Sequence, residues 1–232
     1  LLANISFAQN SKIAKANNQF DKYDYINARE IYLKVVENGF TSAEIYKKLG
    51  DTYYYNSDYI NSVDWYNKLL AEYPREIETE YYYRIAQSLK SVEDYKKSKE
   101  MMDIYLSLGG VEREVKEFEN DPEYLKSLGV HPFKYVINKV AVNSRFSDFG
   151  PSYYKDKIVF ASSTKDRENF RTHNWNNLPY LDLFVADVDS VGGLSNATPL
   201  KSNINTEYHE SSSTFTKDGK TMYFTRNNYN EG

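Results

Sequence analysis

Apolar side chains in the first half of the chain recur at helical spacing. Ile31, Tyr32, Val35 and Val36 form one such set, Val63, Tyr66, Leu69 and Leu70 a second, and Met101, Met102, Tyr105 and Leu106 a third. Ahead of each set stands the pair Asp-Tyr, at Asp24-Tyr25, Asp58-Tyr59 and Asp94-Tyr95, with steps of 34 and 36 residues. The spans Phe20 to Glu37, Tyr54 to Ala71 and Lys90 to Ser107 each predict a helix, a tight turn and a second helix. A small residue follows each Asp by four positions (Ala28, Ser62, Ser98), where two helices approach closely. Self-similarity at this period predicts stacked helical hairpins that bury a shared core.

After Asn120-Asp121-Pro122 and Gly129 the pattern changes from helical spacing to alternation. Strands are predicted at Tyr135 to Val142, Lys157 to Ser162, Leu181 to Asp187 and Thr221 to Arg226, with a turn at Asp148-Phe149-Gly150-Pro151. Lys217-Asp218-Gly219-Lys220 is a hairpin signal, because Gly accepts positive φ. Pro151 to Phe160 and Ser213 to Phe224 look alike, about 62 residues apart, each reading strand, Lys-Asp turn, strand. The first lacks the turn Gly, which predicts a tighter or different hairpin. The expected class is a multidomain α + β chain. Residues 1–8 read as a leader remnant, 9–128 as three helical repeats with a capping helix, and 129–232 as antiparallel blades.

Composition narrows the chemistry. Cysteine is absent, so disulfides, thiolate metal sites and a Cys nucleophile are excluded. A formal charge of −4 lacks the basic footprint of a nucleic-acid binder. No run of 18 apolar residues occurs to span a membrane as a helix. Charge is uneven: residues 1–128 hold 17 basic and 22 acidic side chains, residues 129–232 hold 12 and 11. The acidic run Glu112, Glu114, Glu117, Glu119 and Asp121 reads as the solvated face of the capping helix. Of the three histidines, His209-Glu210 is followed by Ser211-Ser212-Ser213 and not by a zincin's second His. Tyr208 to Ser212 reads as part of an inner strand with a packing or hydrogen-bonding role. Asp182, Asp187 and Asp189 miss the spacing of a calcium loop and read as flanking an exposed strand. No nucleophile elbow or phosphate-binding glycine loop is present, so no enzyme and no cofactor is expected.

The helical repeat resembles the tetratricopeptide repeat. Tyr46, Leu49, Gly50, Tyr53, Ser62, Tyr66, Leu69 and Pro74 fall on that family's signature positions. Copy one starts near Gln9 and is poorer, with Lys12, Lys15 and Gln19 at signature sites; copy three starts near Thr79 after two extra residues in the loop Arg75 to Glu78. The resemblance implies an α-solenoid that binds protein segments on a concave face lined by first-helix residues. Those would be Asn17, Phe20 and Asp21, then Lys47, Asp51, Tyr54 and Tyr55, then Tyr83, Gln87 and Lys90. For Phe20, Tyr54 and Tyr83, recognition and plain packing both stay open.

The segment Ser213 to Phe224 resembles the WD40-like PD40 repeat of TolB-type β-propellers, whose core is S-x-D-G-K-x-I/L-x-F. About two blades fit in the chain, whereas closure takes roughly four or more. Leu1 to Gln9, with Ser6 and Ala8 placed for cleavage after Ala8, reads as the end of a secretory signal peptide, or else as an apolar lead-in to the first helix. Asn196-Ala197-Thr198 fits a glycosylation sequon, and Asp189-Ser190-Val191 resembles the O-glycosylation triplet of exported Bacteroidota proteins.

Together these parts resemble the N-terminal portion of Bacteroidota OmpA-family proteins of the PorE type. That resemblance implies an exported periplasmic, outer-membrane-associated, non-enzymatic scaffold with protein partners, tied to type IX secretion or gliding motility. Peptidoglycan would be reached only through a downstream OmpA-like domain. The alternative is the non-catalytic part of a propeller-containing hydrolase whose catalytic domain lies downstream.

Overall fold

The computed structural model describes residues 2–111, 138–164, 171–201 and 203–227. The chain divides into two compact units, Leu1–Lys134 with Asn174–Asn176, and Tyr135–His173 with Asn177–Gly232.

In the first unit six helices are described: α1 (Leu2–Asp21), α2 (Tyr25–Glu37), α3 (Ala43–Tyr54), α4 (Tyr59–Glu72), α5 (Thr79–Ser91) and α6 (Tyr95–Ser107). They pair as three consecutive helical hairpins. The recurring Asp is the N-cap of each second helix. Asp24 accepts from the Asn27 N–H, Asp58 from that of Asn61 and Asp94 from that of Lys97, at 3.4, 3.4 and 3.2 Å. Each satisfies one of the four donors that a helix start leaves unpaired. The residue before each cap is left-handed: Tyr23, Ser57 and Glu93 have φ of 60°, 58° and 66°. The Asp24, Asp58 and Asp94 N–H groups then bond back to Gln19, Tyr53 and Leu89 carbonyls at 2.9, 3.0 and 3.0 Å, which closes the turn.

Within each hairpin the helices cross at paired small residues, Ala16 with Ala28, Gly50 with Ser62 and Ala86 with Ser98. The Ser62 hydroxyl donates to the Gly50 carbonyl at 3.1 Å, and Ser98 to the Ala86 carbonyl at 2.7 Å. A methyl added at Gly50 would overlap the buried Tyr66 ring. The continuous core runs through Tyr32, Val35, Leu49, Tyr66, Leu69, Ile85 and Leu89, and the third hairpin adds a cluster of Ala86, Met102 and Tyr105.

The second unit holds a four-stranded antiparallel meander, β1 (Asp148–Tyr154), β2 (Lys157–Ser162), β3 (Asp182–Val188) and β4 (Leu194–Pro199), and a hairpin, β5 (Glu210–Phe215) with β6 (Met222–Arg226). Val159, Ala161 and Leu183 on one sheet face pack with Phe215, Met222 and Phe224 of the hairpin. Phe160, Phe184 and Ala186 on the other face pack with Val142 and Ala197. Of the two hairpins, Lys155-Asp156 forms the tighter turn, and Gly219 takes φ +67° in the longer one.

Four sequence expectations need correction. Asn138 to Val142 is no strand, and Val142 serves as a plug on the sheet; Tyr135 to Ile137 lie outside the described residues, as does the acidic run. Asp148 to Pro151 is strand and not turn, because Gly150 (φ +62°) and the donor-less Pro151 make a bulge on an edge strand. Asp182 and Asp187 lie on β3, which is not exposed, since strands flank it on both sides and Leu183, Phe184 and Ala186 are buried. Tyr208 and His209 precede β5 and do not belong to it. The polar edge strand β4 had no apolar alternation to announce it.

Candidate functional site

Steps of 34 and 36 residues place Asn17, Asp51 and Gln87 at one repeat position on α1, α3 and α5. The first two have the same task. Asn17 accepts from the buried Tyr32 hydroxyl of its own hairpin at 2.5 Å and donates to Glu44 of the next at 2.9 Å. Asp51 accepts from the Tyr66 hydroxyl of its own hairpin at 2.7 Å, and from Tyr81 and Arg84 of the next at 3.0 and 2.9 Å. Asp51 is only 2% exposed, so its carboxylate faces the stack and not a partner. Burial pushes its carboxyl above the usual carboxylate range, against the pull of Arg84 and of the two phenols. Burial, with the neighbouring Asp51 charge, likewise raises Tyr66 and Tyr81 well above an ordinary phenol. At Gln87 the corresponding second-helix residue is Met102 and not tyrosine.

The other predicted residues separate into packed and presented ones. Lys47 is buried, paired with Glu78 at 2.5 Å and set over the Tyr81 ring. Phe20 meets Tyr25 edge-on at 5.1 Å and carries the Lys48 ammonium 3.8 Å above its ring, with Asp21 3.9 Å from the same ammonium. Tyr55 stacks on Tyr25 at 5.2 Å, and its carbonyl accepts from the Trp175 indole N–H at 3.0 Å, Trp175 being part of this unit. Burial, aided by Tyr55 and Tyr23, pushes Tyr25 up to about 12. Tyr54, Tyr83, Gln87 and Lys90 remain half-buried. Tyr54 packs on Tyr55 and Tyr59, and Tyr83 on Tyr105 at 5.4 Å. Burial first, then the phenols of Tyr59 and Tyr83, raises Tyr54, which places Tyr54 and Tyr83 in one electrostatic neighbourhood.

Sequence reasoning missed Arg84, Tyr81 and Trp175. Arg84 was legible: it stands 36 residues after Lys48, and both cations lie over an aromatic ring of the previous hairpin, Lys48 on Phe20 and Arg84 on Tyr55. Trp175 had no local signal, because it meets the helices across more than a hundred residues of sequence.

In the second unit several of the described polar groups are occupied internally. The Glu210 carboxylate is fully buried and accepts from Arg226 Nε at 2.9 Å, and from the Thr206 hydroxyl and N–H at 2.5 and 3.0 Å. His209 Nδ1 accepts from the Leu181 N–H at 3.1 Å, and its ring lies 5.0 Å from His173 and 4.6 Å from Tyr180. Burial lowers both histidines, and His173 lowers His209 further. Asp187 pairs with Lys157, and Asp189 closes its turn on the Val191 and Gly193 N–H groups at 2.9 and 2.7 Å. Among the described residues no group of three or more His, Asp and Glu is placed to hold a metal ion, and no helix is long and apolar enough to cross a membrane.

No family model matches the chain, and no curated protein matches it. Among solved structures, the chain is similar to the Sgt2 TPR domain from Aspergillus fumigatus, with 13% identity over 60% of this chain and 93% of that one, at a TM-score of 0.43.

Proposed function

We propose that the chain is a non-enzymatic scaffold whose helical hairpins hold a segment of a partner protein. One observation carries this reading. Tyr54, Tyr83 and Gln87 stay half-buried on the first-helix side, while the neighbouring polar positions Asn17, Lys47 and Asp51 are consumed by contacts between hairpins. Rigid aromatic side chains beside a half-buried amide suit recognition of an extended peptide. The test compares the chain with a Tyr54→Ala/Tyr83→Ala double variant as bait in an envelope extract, with helicity monitored in both. Loss of a specific co-purifying protein at unchanged helicity supports the reading; equal capture by the double variant moves the site elsewhere.

The meander and hairpin of the second unit are read as the first blades of a PD40-type propeller. The composite supports placing the chain among exported OmpA-family proteins of the PorE type, periplasmic and outer-membrane-associated, with secretion or gliding components as partners. Export predicts an N-terminus at Gln9 in protein taken from the native envelope. An N-terminus at or before Leu1 in that fraction would overturn the signal-peptide reading.

A further inference from the structure

Three residues remote in sequence, Asn174 to Asn176, belong to the helical unit. They sit where helix ends from two hairpins converge, each with a main-chain group left over. The Tyr55 carbonyl lies just past the end of α3, and no backbone N–H among the described residues reaches it. The Ile26 N–H lies in the first turn of α2, where a helix offers its own donors no acceptor. The segment answers both groups. The Trp175 indole N–H donates to the Tyr55 carbonyl at 3.0 Å, and the Asn174 carbonyl accepts from Ile26 at 3.2 Å. Three rings line the indole: Tyr23 stacks on it at 5.8 Å and 24°, while Tyr25 and Tyr55 meet it edge-on at 4.9 and 6.4 Å.

The segment sits on the hairpins as a ligand does, and their fold does not depend on it. Trp175 is neither in the helical core nor among the side chains packed against that core. Asn174 and Asn176 are exposed on either side of the half-buried indole. In the second hairpin the Ile60 N–H holds the place of Ile26, yet it meets no backbone carbonyl among the described residues, and Ile60 is 70% exposed. That hairpin nevertheless has the same aspartate cap and left-handed turn residue as the first.

We propose that Tyr23, Tyr25 and Tyr55 form an indole socket, that Asn174 to Asn176 is its resident plug, and that a partner protein docks there by presenting a tryptophan in place of Trp175. The chemistry of the socket selects that side chain. Indole is large and flat and carries an N–H donor on its edge, whereas phenylalanine has no donor to give the Tyr55 carbonyl. The residue before the partner's tryptophan supplies the carbonyl for Ile26. Until the plug leaves, the partner's affinity is reduced by the fraction of chains whose socket is open. Tyr55 touches Tyr54 at 5.6 Å, so the socket adjoins the face of Tyr54 and Tyr83. Its occupancy does not rest on what that face binds.

The test uses the full chain, with Trp175→Ala to empty the socket, and a labelled peptide of residues 172–179 as the probe. The variant binds the peptide, read by fluorescence anisotropy. The wild-type chain binds it about tenfold or more weakly, because its own plug competes. A peptide with alanine at the tryptophan position binds neither. Bound peptide also slows hydrogen exchange at the Ile26 N–H of the variant, which a non-specific apolar contact would not do. Adding Tyr23→Ala, at a position 63% exposed, weakens the peptide about fivefold through the lost stacking. Helicity is followed throughout, and its loss on Trp175→Ala would show that the hairpins need the segment and overturn the proposal. No binding by the folded variant, equal binding by the wild-type chain, or equal binding of the alanine peptide overturns it as well.

Discussion

Both units repeat a module, but they bury charge in different places. In the helical unit the buried carboxylate of Asp51 joins one hairpin to the next, through Tyr81 and Arg84. In the β unit the buried Glu210 is used up inside its own copy, by Thr206 and Arg226, and copy meets copy through apolar faces. The helical stack therefore specifies which hairpin follows which through polar partners that only the right neighbour supplies. The β stack specifies the fold of each copy internally and leaves its outer face generic.

The sharpest way to break that contrast is to remove the two acids. Asp51→Ala takes from Arg84, whose side chain is 16% exposed, its buried partner and leaves it the exposed Glu80, and it removes the acceptor of two phenols. Loss of one partner of such a buried pair costs about 3–5 kcal/mol. The measurement is urea unfolding, with hydrogen exchange showing the loss in both α3–α4 and α5–α6. Glu210→Ala costs less, about 2–3 kcal/mol, because Arg226 is partly exposed and can return to water. Its exchange defect stays within the β unit, at 204–211 and 225–227. A defect from Asp51→Ala confined to α3–α4 would remove the distinction drawn above.

Local devices carry smaller effects. Asp58→Ala removes one N-cap and destabilises α4 by about 1 kcal/mol, read as a lower urea midpoint with Tyr66 still buried. The smallest expected effect is on pH. The folded values of His209 and His173 lie below their ordinary 6.5, so the folded unit binds fewer protons than the unfolded chain. Stability from these groups is complete above about 6.5 and declines as pH falls through the depressed folded values. His209→Gln, whose amide oxygen can still accept from the Leu181 N–H, flattens that decline in melts taken on either side of 6.5. An equally steep decline in the variant would assign it to other groups.

The helical unit was readable because its information is local. Each cap acts on an N–H three residues away, and each crossing pairs small residues twelve apart, so the repeat stands out in the chain. The β unit showed only part of its repeat. Gly150 and Pro151 look like a turn in sequence, and only the bulge shared with Ser212 shows that they belong inside a strand. For the site, sequence assigned the candidate residues to the first helices of the hairpins, but not the side on which each polar group is used. Asn17 and Asp51 were read as presented residues, whereas tyrosine hydroxyls from the second helices draw them into the stack.

The left-handed residues Tyr23, Ser57 and Glu93 have one more consequence. They share a backbone conformation and an exposed setting, yet differ entirely in side chain. The turn is held by main-chain bonds, so this position is a tip that recurs once per hairpin, its side chain stacked on the Trp175 ring only at Tyr23. In a chain without cysteine, a single thiol introduced at any one of the three gives a unique attachment point. Dyes or spin labels placed pairwise there would turn the array into a molecular ruler, reporting hairpin spacing while a partner is held.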